Sequence, residues 1–166
     1  MYQGIGASKG YGIGRIITYR EPDLSYTPKT DCNTQVEKKR FNDALELFFD
    51  RNEHLSEHVK KTVGESAAEI ILGHIMMMKD PYMCSEIEKI IDGGKCAETA
   101  VETVCDMFIT MFSAVDDEMT RQRVTDVKDI KYEILALLLG VHTVDLLNLP
   151  KDTILVAKEL TPSMIA

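Results

Sequence analysis

A chain of 166 residues has room for one domain, or for one domain and part of a second, and buries roughly two-thirds of its unfolded surface without disulfide staples. Its hydrophobic fraction of 45% and charged fraction of 28% are ordinary for a globular protein, and no apolar run approaches the ~20 residues that span a bilayer, so no membrane insertion is expected. A formal net charge of −8, from 27 acidic and 19 basic residues, argues against nucleic-acid binding, which rests on Lys and Arg at phosphates, and favours a basic protein partner.

The chain start lacks the charged region and apolar stretch of a signal peptide, and Cys32, Cys84, Cys96 and Cys105 form no C-x-x-C pair. Reduced thiols in the cytoplasm are the expectation. Gly4, Gly6, Gly10, Gly12 and Gly14 then punctuate a turn that leads through Ile13, Ile16, Ile17 and Tyr19, a strand-like run of β-branched and aromatic residues. Residues 6–14 look like a dinucleotide-binding glycine loop, but that fingerprint needs a buried strand before it and a helix after it. Here a strand follows, and a plain glycine-rich turn is the simpler reading. Pro22 and Pro28 bracket a polar connection.

From there to Pro81 no proline occurs and the pattern turns helical. A first helix starts near residues 31–33, with Asp31 or Asn33 as cap, and runs to about Val63 before Gly64. Its apolar stripe is Phe41, Ala44, Leu45, Phe48, Leu55 and Val59. A second helix spans about residues 65–78, and Pro81 opens a short third that stops by Gly93 and Gly94. A fourth carries Ala97, Ala100, Val101, Val104, Phe108 and Phe112. The fifth runs from Asp117 to about Leu139, with Val127, Ile130, Ile134 and Leu138, and stops at Gly140. Short connections favour antiparallel helical hairpins. Beyond Pro150, residues 153–157 (TILVA) read as a buried strand. Two strands at opposite ends of a helical stretch suggest a sheet domain interrupted by an inserted one.

Three motifs invite chemistry. His74 is followed by Ile75 and three consecutive thioethers, Met76, Met77 and Met78, which cannot all face one way on a helix, so at least one must leave the core stripe. The segment His54-Leu55-Ser56-Glu57-His58 matches the H-x-x-E-H pattern of inverted zinc peptidases, with Glu133 as a distant third ligand. Its neighbours Asp50, Arg51, Asn52, Glu53, Lys60 and Lys61 mark a solvated helix face instead. The cluster Asp116-Asp117-Glu118 reads as a helix cap that Arg121 and Arg123 can pair with.

Taken in order, residues 4–14, Gly73-His74-Ile75-Met76 with Asp80, Asp116-Asp117-Glu118, Arg123 with Asp126-Val127-Lys128-Asp129-Ile130, and Ile154-Leu155-Val156-Ala157 with Leu160-Thr161-Pro162-Ser163 resemble the N-terminal region of Enzyme I of the bacterial phosphoenolpyruvate-dependent sugar phosphotransferase system. Lys9 stands where that family usually has Pro. The resemblance implies a mainly α fold, in which an antiparallel four-helix domain of paired hairpins (residues 31–142) is inserted into the first strands of a truncated α/β phosphohistidine domain (residues 1–30 and 143–166). It implies a cytoplasmic phosphotransferase whose partner is the carrier HPr. The family's phosphorylated histidine lies in a Gly-Gly-x-x-Ser-His segment that does not occur here and is expected beyond Ala166, so the resemblance implies a stretch with no catalytic residue of its own and no turnover. No cofactor is implied within this stretch. The Mg²⁺-dependent, phosphoenolpyruvate-binding C-terminal domain, through which the parent protein is implied to dimerise, lies outside it. Carried over by position, the docking residues are Glu65, Ile70, His74, Met77, Asp80, Tyr82, Met83, Phe108, Phe112 and Arg123. Ser66, Leu72 and Tyr82 replace acids common in the family, which shifts this face towards apolar contact. An equivalent helical module of a pyruvate-phosphate dikinase or of a dihydroxyacetone-kinase phosphotransfer subunit would keep the fold and change the partner; a zinc hydrolase is the alternative of another class.

Overall fold

A computed structural model describes residues 5–141, 149–158, 160–161 and 164. The expectations that fall on Gly4, on the domain boundary at residues 142–143, on Pro162 and Ser163, and on Ala166, beyond which the phosphorylated histidine is expected, lie outside the described residues. Strand β1 (Arg15–Thr18) is followed by helices α1 (Thr34–Thr62), α2 (Glu65–Met78), α3 (Pro81–Asp92), α4 (Ala97–Ser113) and α5 (Glu118–Leu139), and then by strand β2 (Thr153–Val156). The fold is thus mainly helical with a small sheet.

Local chemistry sets the helix ends. Asn33, of the two cap candidates, accepts hydrogen bonds from the backbone N–H groups of Gln35 and Val36, while Asp31 adopts a left-handed backbone with φ 59°. Gly64 separates α1 from α2 at φ 129°, a conformation an L side chain rarely takes, and so allows the chain to reverse within two residues. Asp80 caps α3 and Pro81 occupies its first position. Asp117 caps α5, and the helix ends with Val141 N–H donating to Ala136 C=O at 2.9 Å, the closing bond of a Schellman turn.

The core lies where α1, α3, α4 and α5 converge. Phe41 and Phe48 from α1, Ile87 and Ile91 from α3, Val101 and Val104 from α4, and Ile130 and Ile134 from α5 are all buried there. The 12-residue α3 adds its own apolar stripe, Met83, Ile87 and Ile91, to the four longer helices. α2 packs chiefly on the C-terminal half of α1, through Ala68, Ile71, Ile75 and Met78. Leu55, placed on the stripe by its spacing, is only half-buried, and Asn52 and Ser56 take the inward positions on that turn.

The strands from the two ends of the chain pair in parallel, Arg15 opposite Thr153 and Thr18 opposite Val156. At Gly14 a Cβ would fall well inside contact distance of the Asp152 carbonyl oxygen, so only glycine fits beside the strand. Tyr19 ties the sheet to the bundle: it is buried, and its hydroxyl lies 3.3 Å from that of Tyr132 on α5. The connection after β1 is pinned by Tyr26, which donates to Glu102 on α4 at 2.6 Å. Arg40 on α1 bridges Glu37, Glu98 at the start of α4, and the Leu138 carbonyl near the end of α5.

Truncating a fully buried branched side chain leaves a cavity. Ile130→Ala should cost about 2–5 kcal/mol, read as a lower urea midpoint, whereas Ile13→Ala, at an exposed position, should stay within about 0.5 kcal/mol of the parent.

Candidate functional site

Successive residues of a helix point about 100° apart, and the three methionines of α2 divide accordingly. Met78 is buried in the core, Met77 is half-buried against it, and Met76 is 73% exposed. Ile70 and Leu72, each 45% exposed, add to the outward surface of the helix. At its start Glu65 is exposed and pairs with Lys60 at 2.6 Å, a contact that holds its carboxyl below the usual range.

Between α2 and the first turns of α5 runs an open groove of about 590 Å³. Ile70, Gly73 and Glu69 form one wall, and Met119, Arg123 and Asp126 belong to the other. Met119 is 77% exposed and adds an apolar side chain to a groove whose lining is mixed. Arg123 is half-exposed and faces Asp126 at 3.5 Å; it does not pair with the acidic cap, which Arg121 serves through Asp116 and Glu118. Two of the residues chosen for docking, Ile70 and Arg123, therefore meet in one groove.

A second group forms on α3 and α4. The rings of Tyr82 and Phe108 meet edge to face at 6.1 Å between centroids, and Phe108 continues to Phe112 at 5.8 Å. Tyr82 is 56% exposed, whereas Phe108 and Phe112 are half-buried. Asp80, exposed, orients this row by accepting the Tyr82 N–H at 2.7 Å. Because α2 leads into α3 through Lys79 and Asp80 alone, one short stretch of chain connects groove and aromatic row.

Two of the chosen residues do not face solvent. Met83 is 3% exposed and belongs to the core, because the α3 stripe of Met83, Ile87 and Ile91 turns inward. His74 is fully buried where α2 meets α5. Its Nε2 lies 3.5 Å from Asp126 and its Nδ1 4.0 Å from Asp129, and neither ring nitrogen makes a hydrogen bond. A histidine satisfied by the core would show a backbone or hydroxyl partner. This one is set among carboxylates instead.

Glu133, half-buried and one turn along α5 from Asp129, completes this polar cluster. It accepts hydrogen bonds from the Asn52 amide at 2.9 and 3.0 Å. Burial pushes its carboxyl up to about 7, with the charge of Asp129 acting in the same direction and the Asn52 hydrogen bond and His74 opposing.

The other motifs stay apart from these surfaces. His54, Glu57 and His58 are exposed on α1, with His54 3.6 Å from Asp50, and Glu133 is engaged with Asn52. Among the described residues no group of three or more His, Cys, Asp and Glu side chains is placed to hold a metal. The glycines before β1 lie in exposed chain that leads into a strand. Sequence reasoning passed over Met119 and Glu69, and Asp126 entered only as part of a matching segment. Helical spacing from Met78 points to Met76 as outward, but the position of Met119 over the groove depends on how α5 crosses α2.

Fold and site together define a helical module carried on a parallel strand pair, with exposed apolar surface gathered along α2, α3, α4 and the start of α5. The chain belongs to the family described as PEP-utilising enzyme, N-terminal, whose model matches residues 3–123. It is 37% identical over 162 residues to the phosphoenolpyruvate-protein phosphotransferase of Listeria monocytogenes, and 33% identical to that of Bacillus subtilis. Each alignment takes in 97% of this chain and 28% of the relative, so the chain spans little more than a quarter of their length. An NMR solution structure of Enzyme I superposes with a TM-score of 0.88 at 29% identity, covering 98% of this chain and 67% of that one. The N-terminal domain of the nitrogen Enzyme 1 gives 0.73 at 23% identity, covering 95% and 65%, and shares the fold.

The polar cluster has a measurable signature. The folded-state value of Glu133, about 7, lies above its ordinary 4.5, so the stability it contributes is complete below about pH 4.5 and is lost as pH rises through 7. Glu133→Gln should remove roughly 3 kcal/mol of pH dependence over that window relative to the parent, measured as the difference in urea unfolding free energy at pH 4.5 and 7.5.

Proposed function

We propose that this chain is the carrier-docking part of an Enzyme I and binds HPr, a small basic phosphocarrier, on the surface formed by α2, α3, α4 and the start of α5. The observation that carries this reading is a pair of exposed and half-buried groups on helices joined by Lys79 and Asp80: Ile70 and Arg123 in the groove beside the helix of the exposed Met76, and the row Tyr82, Phe108 and Phe112. Aromatic, methionine and arginine side chains are the types that concentrate binding energy at protein interfaces. Exposed acids at Glu65, Glu69 and Asp80 suit a basic partner and would act mainly on the rate of encounter. Met83 and His74 support this surface from beneath.

In this reading the chemistry belongs to the rest of the enzyme. Phosphoenolpyruvate, Mg²⁺ and dimerisation are assigned to its C-terminal domain, and the phosphorylated histidine to a Gly-Gly-x-x-Ser-His segment beyond Ala166; no Ser-His pair occurs in these 166 residues. The chain positions the carrier and performs no turnover alone. The sheet side, residues 1–30 and 143–166, belongs to the phosphohistidine domain, and residues 31–142 form the docking domain.

Calorimetric titration with HPr should show saturable binding that Tyr82→Ala and Arg123→Glu each weaken by about tenfold or more, while Lys39→Ala, an exposed position on α1, leaves it unchanged. Absence of heat and of any NMR shift at millimolar carrier would contradict the proposal. Incubation with phosphoenolpyruvate and Mg²⁺ should leave the mass of the chain unchanged, and stable phosphorylation of His74 would overturn its supporting role.

A further inference from the structure

We infer that Asp126 is a positioning residue: it fixes the guanidinium of Arg123 in the α2–α5 groove, with its inner oxygen set against the buried ring of His74. The two oxygens of one carboxylate divide the task. Oδ1 lies 3.5 Å from His74 Nε2, and Oδ2 lies 3.5 Å from Arg123 Nη1. Exposure rises along this line, from 1% for the His74 side chain through 21% for Asp126 to 52% for Arg123. A carboxylate that lies between the core and the groove thus reaches a cation at the surface.

Gly73 completes the arrangement. A Cβ there would lie 3.6 Å from Arg123 Nη1, so the guanidinium rests against the bare backbone of α2 with no side chain between. An exposed arginine carries rotamer entropy that a partner must otherwise remove on binding. Holding the fork before the partner arrives lowers that cost, which is how preorganisation raises affinity without a new contact. Among the described residues the ion pair of Arg123 is with Asp126, and a guanidinium has five N–H donors, so donors remain for a carbonyl or carboxylate of the docking protein. The groups facing His74 are Asp126 and Asp129 of α5, with the charge of Glu133 also acting on it.

This inference rests on the docking reading for its functional consequence, but its structural half is tested separately. Affinity for HPr is measured for the parent, Arg123→Ala, Asp126→Asn and the double variant. Asp126→Asn should weaken binding about 3- to 5-fold, the size an exposed ion pair supports. In the Arg123→Ala background it should have no further effect, because it acts through the arginine. Additive losses would show that Asp126 meets the partner or acts on the fold, and would overturn the inference. Without any carrier, the Arg123 Nε–Hε NMR signal should be resolved in the parent and averaged towards free arginine in Asp126→Asn; a signal unchanged by that substitution would also overturn it. If the parent does not bind HPr, the docking reading fails while the NMR comparison still decides the positioning.

Discussion

Everything in the bundle is indexed on one stripe of α1. Glu37, Phe41, Ala44, Phe48, Asn52, Ser56 and Val59 are its buried positions, three or four residues apart along a 29-residue helix, and α1 touches each of the other four helices. The stripe changes character at its middle. Two phenylalanines fill the space against α3, α4 and α5, and then the small polar Asn52 and Ser56 let α2 and the Glu133 carboxyl come close. Burying polar groups is costly unless they are paired. The Asn52 amide bridges the Phe48 carbonyl and Glu133 and so ties α1 to α5, while His74 of α2, with no hydrogen bond of its own, sits between Asp126 and Asp129 at the same level. That registry sets the distance between α2 and α5, and therefore the groove.

Rigid placement of the surface follows from the same core. Phe108 and Phe112 lean on the buried cluster, and Tyr82 meets Phe108 edge to face, so the aromatic row is supported from the core. The outer side chains of α2 are flexible thioethers and aliphatics on a fixed helix. A surface of this kind adapts its side chains while the backbone stays in place, which suits the proposed reversible docking of a partner. The bundle is also tied to the chain around its first strand through Tyr19 and Tyr132 and through Tyr26 and Glu102, while Arg40 joins α1, α4 and α5 to one another.

The elements were legible in the sequence because their boundaries are written in local chemistry. Asn33, Gly64, Pro81, Asp117 and Gly140 act within one helical turn and need no knowledge of the fold. The surface was legible only in part. The spacing of Met76, Met77 and Met78 requires one of them to leave the core, and Met76 does. Met83, chosen from resemblance, points into the core because α3 must bury a stripe of its own, and its four-residue spacing to Ile87 and Ile91 sets it apart from Tyr82, which Glu86 and Lys89 follow on the outer face. The carboxylates around His74 come from a helix about 50 residues away in sequence, and their convergence depends on packing.

The central claim, that a partner docks on α2, α3, α4 and the start of α5, is tested most directly by paramagnetic relaxation from a spin label on HPr, read on the methyl-labelled methionines of this chain. The account predicts strong broadening of Met76 and Met119, both exposed at this surface, with weaker effects at the buried Met78 and Met83. Broadening confined to residues of α1 or of the strand pair, with Met76 and Met119 unaffected, would contradict it.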